Sequence, residues 1–415
     1  MQRVIIIGGG IIGLSTAYYL SKAGAEVTVL DKGMMDDNCS FGNAGMIVPS
    51  HFVPLAAPGM IEQGIRWMFD SKSPFYVRPS LSRDLFLWGY KFMKSATKAN
   101  VTRAAEPLRD LSLLSRSLYN ELAKENGFDF GLKNNGILML YKTQKAGEEE
   151  IHQAEKAKAL GLDVEVLSAG QASALQPQLK LDVTGAVHYR CDSHLAPHVL
   201  MQQLTAYLEA AGVKISRGNE VIKIDHEQGK ITNIHTHTDT FQADEVVIAG
   251  GAWSPAITKL AGLNVPVMPG KGYSFMYNEP LERMHIAALL MEARVSVTPM
   301  ANQIRFGGTM ELGPMNNKVN MNRVRGIIEA IPKYFPDLSP AMPEEGKIWH
   351  GFRPCSPDGL PYIGRAGKYK NLLVAGGHGM MGLSLGPATG KLITELITGK
   401  TPSTSIAAFS PDRYL

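Results

Sequence analysis

The chain is 415 residues long, 45% hydrophobic and 19% charged, and its 42 Lys and Arg against 38 Asp and Glu leave a formal net charge of +4. That composition excludes a disordered chain and gives length enough for about two or three domains. So small a charge, with no basic block, excludes nucleic acid as an expected partner. Cys39, Cys191 and Cys355, without ligand spacing, give neither a disulfide framework nor a metal site.

The apolar N-terminus lacks an A-x-A-like cleavage site and is not expected to be a signal peptide. Val4 to Ile7 is a β-branched run suited to a strand buried on both faces, and glycines follow it. "IIGLSTAYYLSKAG" then predicts a helix closing at Gly24, and Val27 to Leu30 a second strand, so the unit is βαβ and its sheet parallel. From Pro58 to about Leu122, "GMIEQGIRWMF", "RDLFLWGYKFMKSATKA" and "LRDLSLLSRSLYNELAKENG" predict amphipathic helices. "GILMLYKT" predicts a strand at 136–143, followed by a solvated helix that carries Glu148 to Glu150.

A helix and strand are expected over 198–215, then a hairpin turning at "EQGK". His235 and His237 share one face of that hairpin, but no acidic or thiol partner lies at ligand spacing. Strands follow after residue 262, then the helix "MNRVRGIIEAIPKYF". The uncharged stretch 372–390 is broken by glycines and a proline, which favours strand, loop and helix over a membrane span. Mononucleotide-fold pieces at the start, middle and end predict a discontinuous α/β domain over 1–60, 182–262 and 347–415. A substrate domain of mostly antiparallel sheet plus helices is then expected over 61–181 and 263–346.

Gly8, Gly10 and Gly13 form G-x-G-x-x-G at the strand-to-helix junction. The first permits a tight turn, the second admits a pyrophosphate, and the third lets the helix pack on the strand. The helix start at Ile11 and Ile12 faces the phosphates with its partial positive charge. Asp31 ends the second strand, placed for ribose hydroxyls and unfavourable to a 2′-phosphate, with Lys32 beside it. A second buried strand runs into Gly250, Gly251 and Trp253. A third enters the loop Gly377, His378, Gly379, Met380, Met381 and Gly382, whose backbone N–H groups suit the N1–C2=O edge of a reduced flavin.

"GGGIIGLSTAYYLSKAGAEVTVLD", "CSFGNAGMIVP", "VVIAGGAWS" and "GFRPCSPDGLPYIG…GGHGMMGLSLGPATG" together resemble the D-amino-acid oxidase, glycine oxidase and sarcosine oxidase family of FAD enzymes. "GNAG" and "AAPGMIEQGIRWMF" are closest to its bacterial D-amino-acid dehydrogenase branch. The resemblance implies a Rossmann-like FAD domain and adds Ser40, Asn43, Ala44, Gly45, Met46 and Val221 to the cofactor-binding residues. It implies hydride transfer from the α-carbon of a D-amino acid to flavin N5, then imine hydrolysis to a 2-oxo acid and ammonia, or a cyclic imine from D-proline-type substrates. Electrons pass to a quinone or another carrier; the rival is a glycine- or sarcosine-type oxidase using O₂.

Arg353 matches the arginine that clamps the substrate carboxylate, with an ion pair to nearby Asp358 as the alternative. Tyr273 and His51 are candidates for the substrate pocket, with less support for His350. Lys271 is either near the cofactor or an exposed turn residue. No His–Asp pair stands out as an acid–base couple. The alignment with covalently flavinylated members falls near Gly351, not on a cysteine, so FAD is expected to be noncovalent. The loop after His378 is nearer to glycine oxidase than to the dehydrogenases. The chain is expected to be cytoplasmic. "LFLWGYKFMK" can support peripheral contact with the inner face of a membrane, though core packing explains it more cheaply.

Overall fold

The computed structural model describes every residue except Phe69, 279–283, 301–302 and Leu415. The β-branched run forms the strand Arg3–Ile7, buried from Val4 onward, near the centre of a six-stranded sheet. It is flanked in parallel by Glu26–Leu30 and Glu245–Ile248. Lys214–Ser216 extends one side and Leu372–Gly376 the other, with Tyr362–Arg365 antiparallel at that edge. The helices Ile11–Lys22, Pro197–Ala210 and Gly382–Ile397 bury apolar residues with one face of this sheet. The hairpin Val221–Glu227 and Lys230–Thr236 covers the other, turning through Gln228 and Gly229, both at positive φ.

A nine-stranded sheet makes the second layer. Trp349–Cys355 edges it and pairs antiparallel with Met268–Tyr277, which pairs in turn with Gln303–Leu312. Val295–Met300, Ala287–Leu290, Ile137–Tyr141, Gly185–Tyr189 and Val164–Ser168 continue the order. Most pairings are antiparallel, and the helix Met321–Tyr334 packs on one face. Gly185–Tyr189 and Trp349–Cys355 thus pair in the second sheet, although they lie within the stretches 182–262 and 347–415 expected in the first domain. Gly185–Tyr189 is buried throughout and Trp349–Cys355 only in part, and in neither do the residues say which sheet completes the hydrogen bonds.

The helical region breaks differently from its periodicity. One helix runs Arg83–Ser95 behind a Ser82 cap, and a second runs Lys98–Leu122 behind a Thr97 cap with Pro107 inside it. Trp88 is buried, and its indole N–H donates to the Cys355 carbonyl at 2.8 Å. The opposite face is not core: Phe86, Leu87, Tyr90 and Met93 are 65, 45, 52 and 55% exposed. Among the described residues no helix is long and apolar enough to cross a membrane.

Candidate active site

A cavity of about 1370 Å³ lies between the two sheets. Gly8 turns the chain at φ +117°, and a Cβ there would sit 2.5 Å from the Ala249 carbonyl oxygen. At Gly13 a Cβ would lie 1.9 Å from Gly8 O, so the helix packs onto the turn only with glycine there. Gly10 differs: the nearest atom to its Cβ would be Ser40 Oγ at 3.5 Å, an ordinary contact. The protein does not fill the space in front of Gly10, and a ligand's backbone-hugging phosphate suits it. The helix begins there without a side-chain cap from Gly10, and among the described residues Ile11 is the one first-turn N–H that meets a side chain, Ser40 Oγ at 3.0 Å.

Asp31 is held by backbone donors, Gly9 N–H on Oδ2 at 2.6 Å and Gly33 N–H on Oδ1 at 2.7 Å. Lys32 lies over the Trp253 ring, 4.2 Å from its centroid. Sequence reasoning missed Asn38, which ties the two segments by donating to Gly9 O and accepting from Ser40 N–H. The next stretch is clasped by the second sheet. Arg305 donates to the carbonyls of Phe41 and Asn43 at 2.9 and 2.7 Å, and Ser274 Oγ to that of Gly42 at 2.9 Å.

Of the expected cofactor residues, Gly8, Gly10, Ile11, Ile12, Asp31, Lys32, Ser40, Asn43, Ala44, Met46, Val221, Gly250, Gly251 and Trp253 line the cavity. So do His378, Gly379, Met380, Met381 and Gly382, whereas Gly13, Gly45 and Gly377 stand behind the lining. The His378 ring turns inward to Thr389 Oγ1 at 3.0 Å, and burial lowers its pKa to about 3. Its neutral ring serves the helix, while the following backbone faces the cavity.

The second sheet supplies Arg353. Its guanidinium donates to the Thr309 carbonyl at 2.7 Å and, among the described residues, meets no carboxylate within salt-bridge distance. Burial pulls its pKa down. The neighbouring acid is engaged elsewhere: Asp358 accepts two hydrogen bonds from Arg413, at 2.9 and 3.0 Å. The internal pairing of Arg353 with Asp358 is therefore absent. Thr309 itself has φ +68°, an outlying conformation for a β-branched residue. It sits where one residue of Met268–Tyr277 opposes two of Gln303–Leu312, and that bulge turns the carbonyl toward Arg353.

Tyr273 also lines the cavity, but its hydroxyl donates to Glu311 at 2.9 Å and accepts Asn320 N–H at 3.1 Å, on the face packed by the helix Met321–Tyr334. Lys271 is 3% exposed and donates to Asn316 Oδ1 and Lys318 O, so it is no exposed turn residue. His51 and His350 both line the cavity.

A glycine-turned parallel sheet sharing one cavity with a second sheet that presents a half-buried guanidinium without a carboxylate partner among the described residues defines a dinucleotide-binding oxidoreductase. The chain belongs to the DAO family of FAD dependent oxidoreductases, whose model matches residues 3–396. It is 31% identical to the D-amino acid dehydrogenase of Methylobacterium nodulans, covering 100% of this chain and 99% of that one. It is 30% identical to that of Helicobacter pylori, covering 95% and 94%. Among solved structures, glycine oxidase from Geobacillus kaustophilus superposes with a TM-score of 0.80 at 26% identity, covering 100% of both chains. The open space at Gly10, the uncapped helix and the oriented Asp31 all fit FAD, the cofactor of the family.

Proposed function

We propose that this chain deaminates D-amino acids oxidatively on the cytoplasmic side of the membrane, with FAD held noncovalently, and passes the electrons to a quinone or another carrier. The observation that carries the reading is Arg353, a half-buried guanidinium lining the cavity with no carboxylate partner among the described residues. Its planar fork matches the carboxylate of an amino acid through two charge-assisted hydrogen bonds. Bound FAD supplies the two-electron acceptor for the hydride leaving the substrate Cα. The protein's part is to fix the carboxylate, orient the Cα–H bond and hold the amine neutral. The resulting imine loses its nitrogen to water as ammonia, leaving the 2-oxo acid.

Noncovalent attachment is supported by the thiols. Cys355 lies outside the cavity lining with its pKa pushed up by burial to about 12, and burial raises that of Cys39 as well. The relatives named D-amino acid dehydrogenase support the substrate class. The glycine oxidase likeness supports a second reading, oxidation of glycine or a secondary amine by O₂ with release of H₂O₂. Peripheral membrane contact is supported by the exposed Phe86, Leu87, Tyr90 and Met93, interspersed with Arg83 and Lys94.

Anaerobic mixing of the FAD-loaded protein with a panel of D-amino acids, glycine and sarcosine tests the proposal. D-amino acids should bleach the flavin, with slow reoxidation by air and fast reoxidation by a soluble quinone. Bleaching by glycine or sarcosine alone, with rapid peroxide release, would establish the second reading instead. No bleaching by any of them would sink both.

A further inference from the structure

The 46–51 segment and the turn after Gly185–Tyr189 form a hydrogen-bonded chain that carboxylate binding leaves unused. Asp192 is 0% exposed. Its Oδ2 accepts the Ser50 hydroxyl at 2.6 Å, its Oδ1 accepts the Ser50 N–H at 3.0 Å, and the Cys191 thiol points at Oδ1 from 3.5 Å. Three donors on one carboxyl suit an ionised acceptor. With its proton given to Asp192, the Ser50 oxygen 3.0 Å from His51 Nδ1 is left as an acceptor. Nδ1 therefore carries the imidazole proton, and Nε2 keeps a lone pair. Among the described residues Nε2 has no hydrogen-bond partner, and His51 lines the cavity that Arg353 also lines.

We propose that His51 accepts the proton which the substrate ammonium must lose before its Cα–H bond breaks, with Ser50 and Asp192 as positioning residues that pass the charge inward. This rests on the amino-acid reading of the site. The ammonium N–H bond breaks, its electron pair stays on the amine, and a bond forms to Nε2. The Nδ1 proton moves to Ser50 as the Ser50 proton moves to Asp192, so amine, imidazole and carboxyl all end neutral. The surroundings favour that resting place. Burial and the charge of Arg294 hold His51 at about 4, while burial raises Asp192 to about 7 against the opposing effects of its donors and of Arg116. Tyr189 and Cys191 beside Asp192 are un-ionised, their pKa values raised by burial. Glu150, itself raised to about 7 by burial, interacts with both Arg294 and Tyr189.

The test is kcat/KM from about pH 6 to 10 for a D-amino acid that bleaches the flavin, in FAD-loaded wild type, His51→Ala, Ser50→Ala, Ser50→Thr and Asp192→Asn. Relay variants should lose about tenfold or more at pH 7, and the loss should shrink toward pH 10, where the free amine is available. Their acidic limb should move up by about a pH unit or more. Ser50→Thr should restore the wild-type profile, and added imidazole should recover His51→Ala. A loss uniform across pH without imidazole rescue, or an unmoved acidic limb, overturns the relay. Should Asp192→Asn not fold, His51→Ala with imidazole decides alone. A wild-type flavin that no D-amino acid bleaches overturns the functional reading and the relay with it. A bleached wild type whose variants keep its profile overturns only the relay.

Discussion

The guanidinium of Arg353 lies against the α-carbon of Gly272, where a Cβ would come within 2.0 Å of Nη1 and 2.5 Å of Cζ. The two residues sit on paired strands, and the glycine leaves the hollow in which the fork turns toward the cavity. Gly272→Ala should displace the fork without touching the cofactor wall. We expect kcat/KM to fall by about 2 kcal/mol or more in transition-state terms, with FAD content unchanged. Steady-state kinetics beside the flavin-to-protein absorbance ratio checks both halves.

Removing the charge itself should cost more. Arg353→Ala should reduce kcat/KM by about 2–5 kcal/mol in equivalent terms, the range for truncating one side of a buried charge pair. Arg353→Lys should recover only part, because an ammonium does not reproduce the bidentate fork. Unchanged kinetics with retained FAD would remove the carboxylate clamp from the mechanism.

The glycine turn separates a folding requirement from a binding one. Gly13→Ala places a methyl 1.9 Å from Gly8 O and should abolish soluble expression or lower Tm sharply. Gly10→Ala meets only an ordinary contact at 3.5 Å, so the apoprotein should keep its Tm while FAD affinity falls. Thermal unfolding with and without added FAD distinguishes the two variants.

His194 offers a pH test of stability. It is 2% exposed, and burial, aided by Lys133, lowers its pKa to about 4. Between about 6.5 and 4 the unfolded chain binds a proton that the native imidazole refuses, so stability falls as pH falls through that window. His194→Gln removes this contribution. The stability gap between wild type and variant should shift against wild type by about 2–3 kcal/mol on going from pH 7 to 4.5. Urea unfolding at both pH values measures it.

The outer face of Arg83–Ser95 predicts salt-sensitive binding to vesicles containing anionic lipid. Phe86→Glu with Met93→Glu should abolish cosedimentation and leave soluble-acceptor turnover intact, because both side chains point away from the core. Equal sedimentation by the variant and the wild type would remove that surface from consideration.

What the sequence determined by itself was local. The strand, glycines, helix and acid of the first 31 residues are contiguous, and each has a backbone reason to be where it is. The parallel sheet follows from them, and the family resemblance extends that reading across the chain. Arg353 stood out because its neighbourhood offered one acid, but the sequence left open whether Asp358 neutralised it.

Tertiary structure decided what depends on distant pairings. Arg413, 55 residues on, takes Asp358 and leaves Arg353 to the cavity. Strand parity sent the Tyr273 hydroxyl to Glu311, and a helix read as core turned four apolar side chains outward. No His–Asp couple is visible in the sequence because Ser50 and Asp192 are 142 residues apart, joined by two hydrogen bonds that follow from the antiparallel pairing of Met46–Ile47 with Ser193–His194. Backbone geometry is written within a few residues, whereas the partner of a buried charge is chosen by whichever distant element the fold brings within about 3 Å.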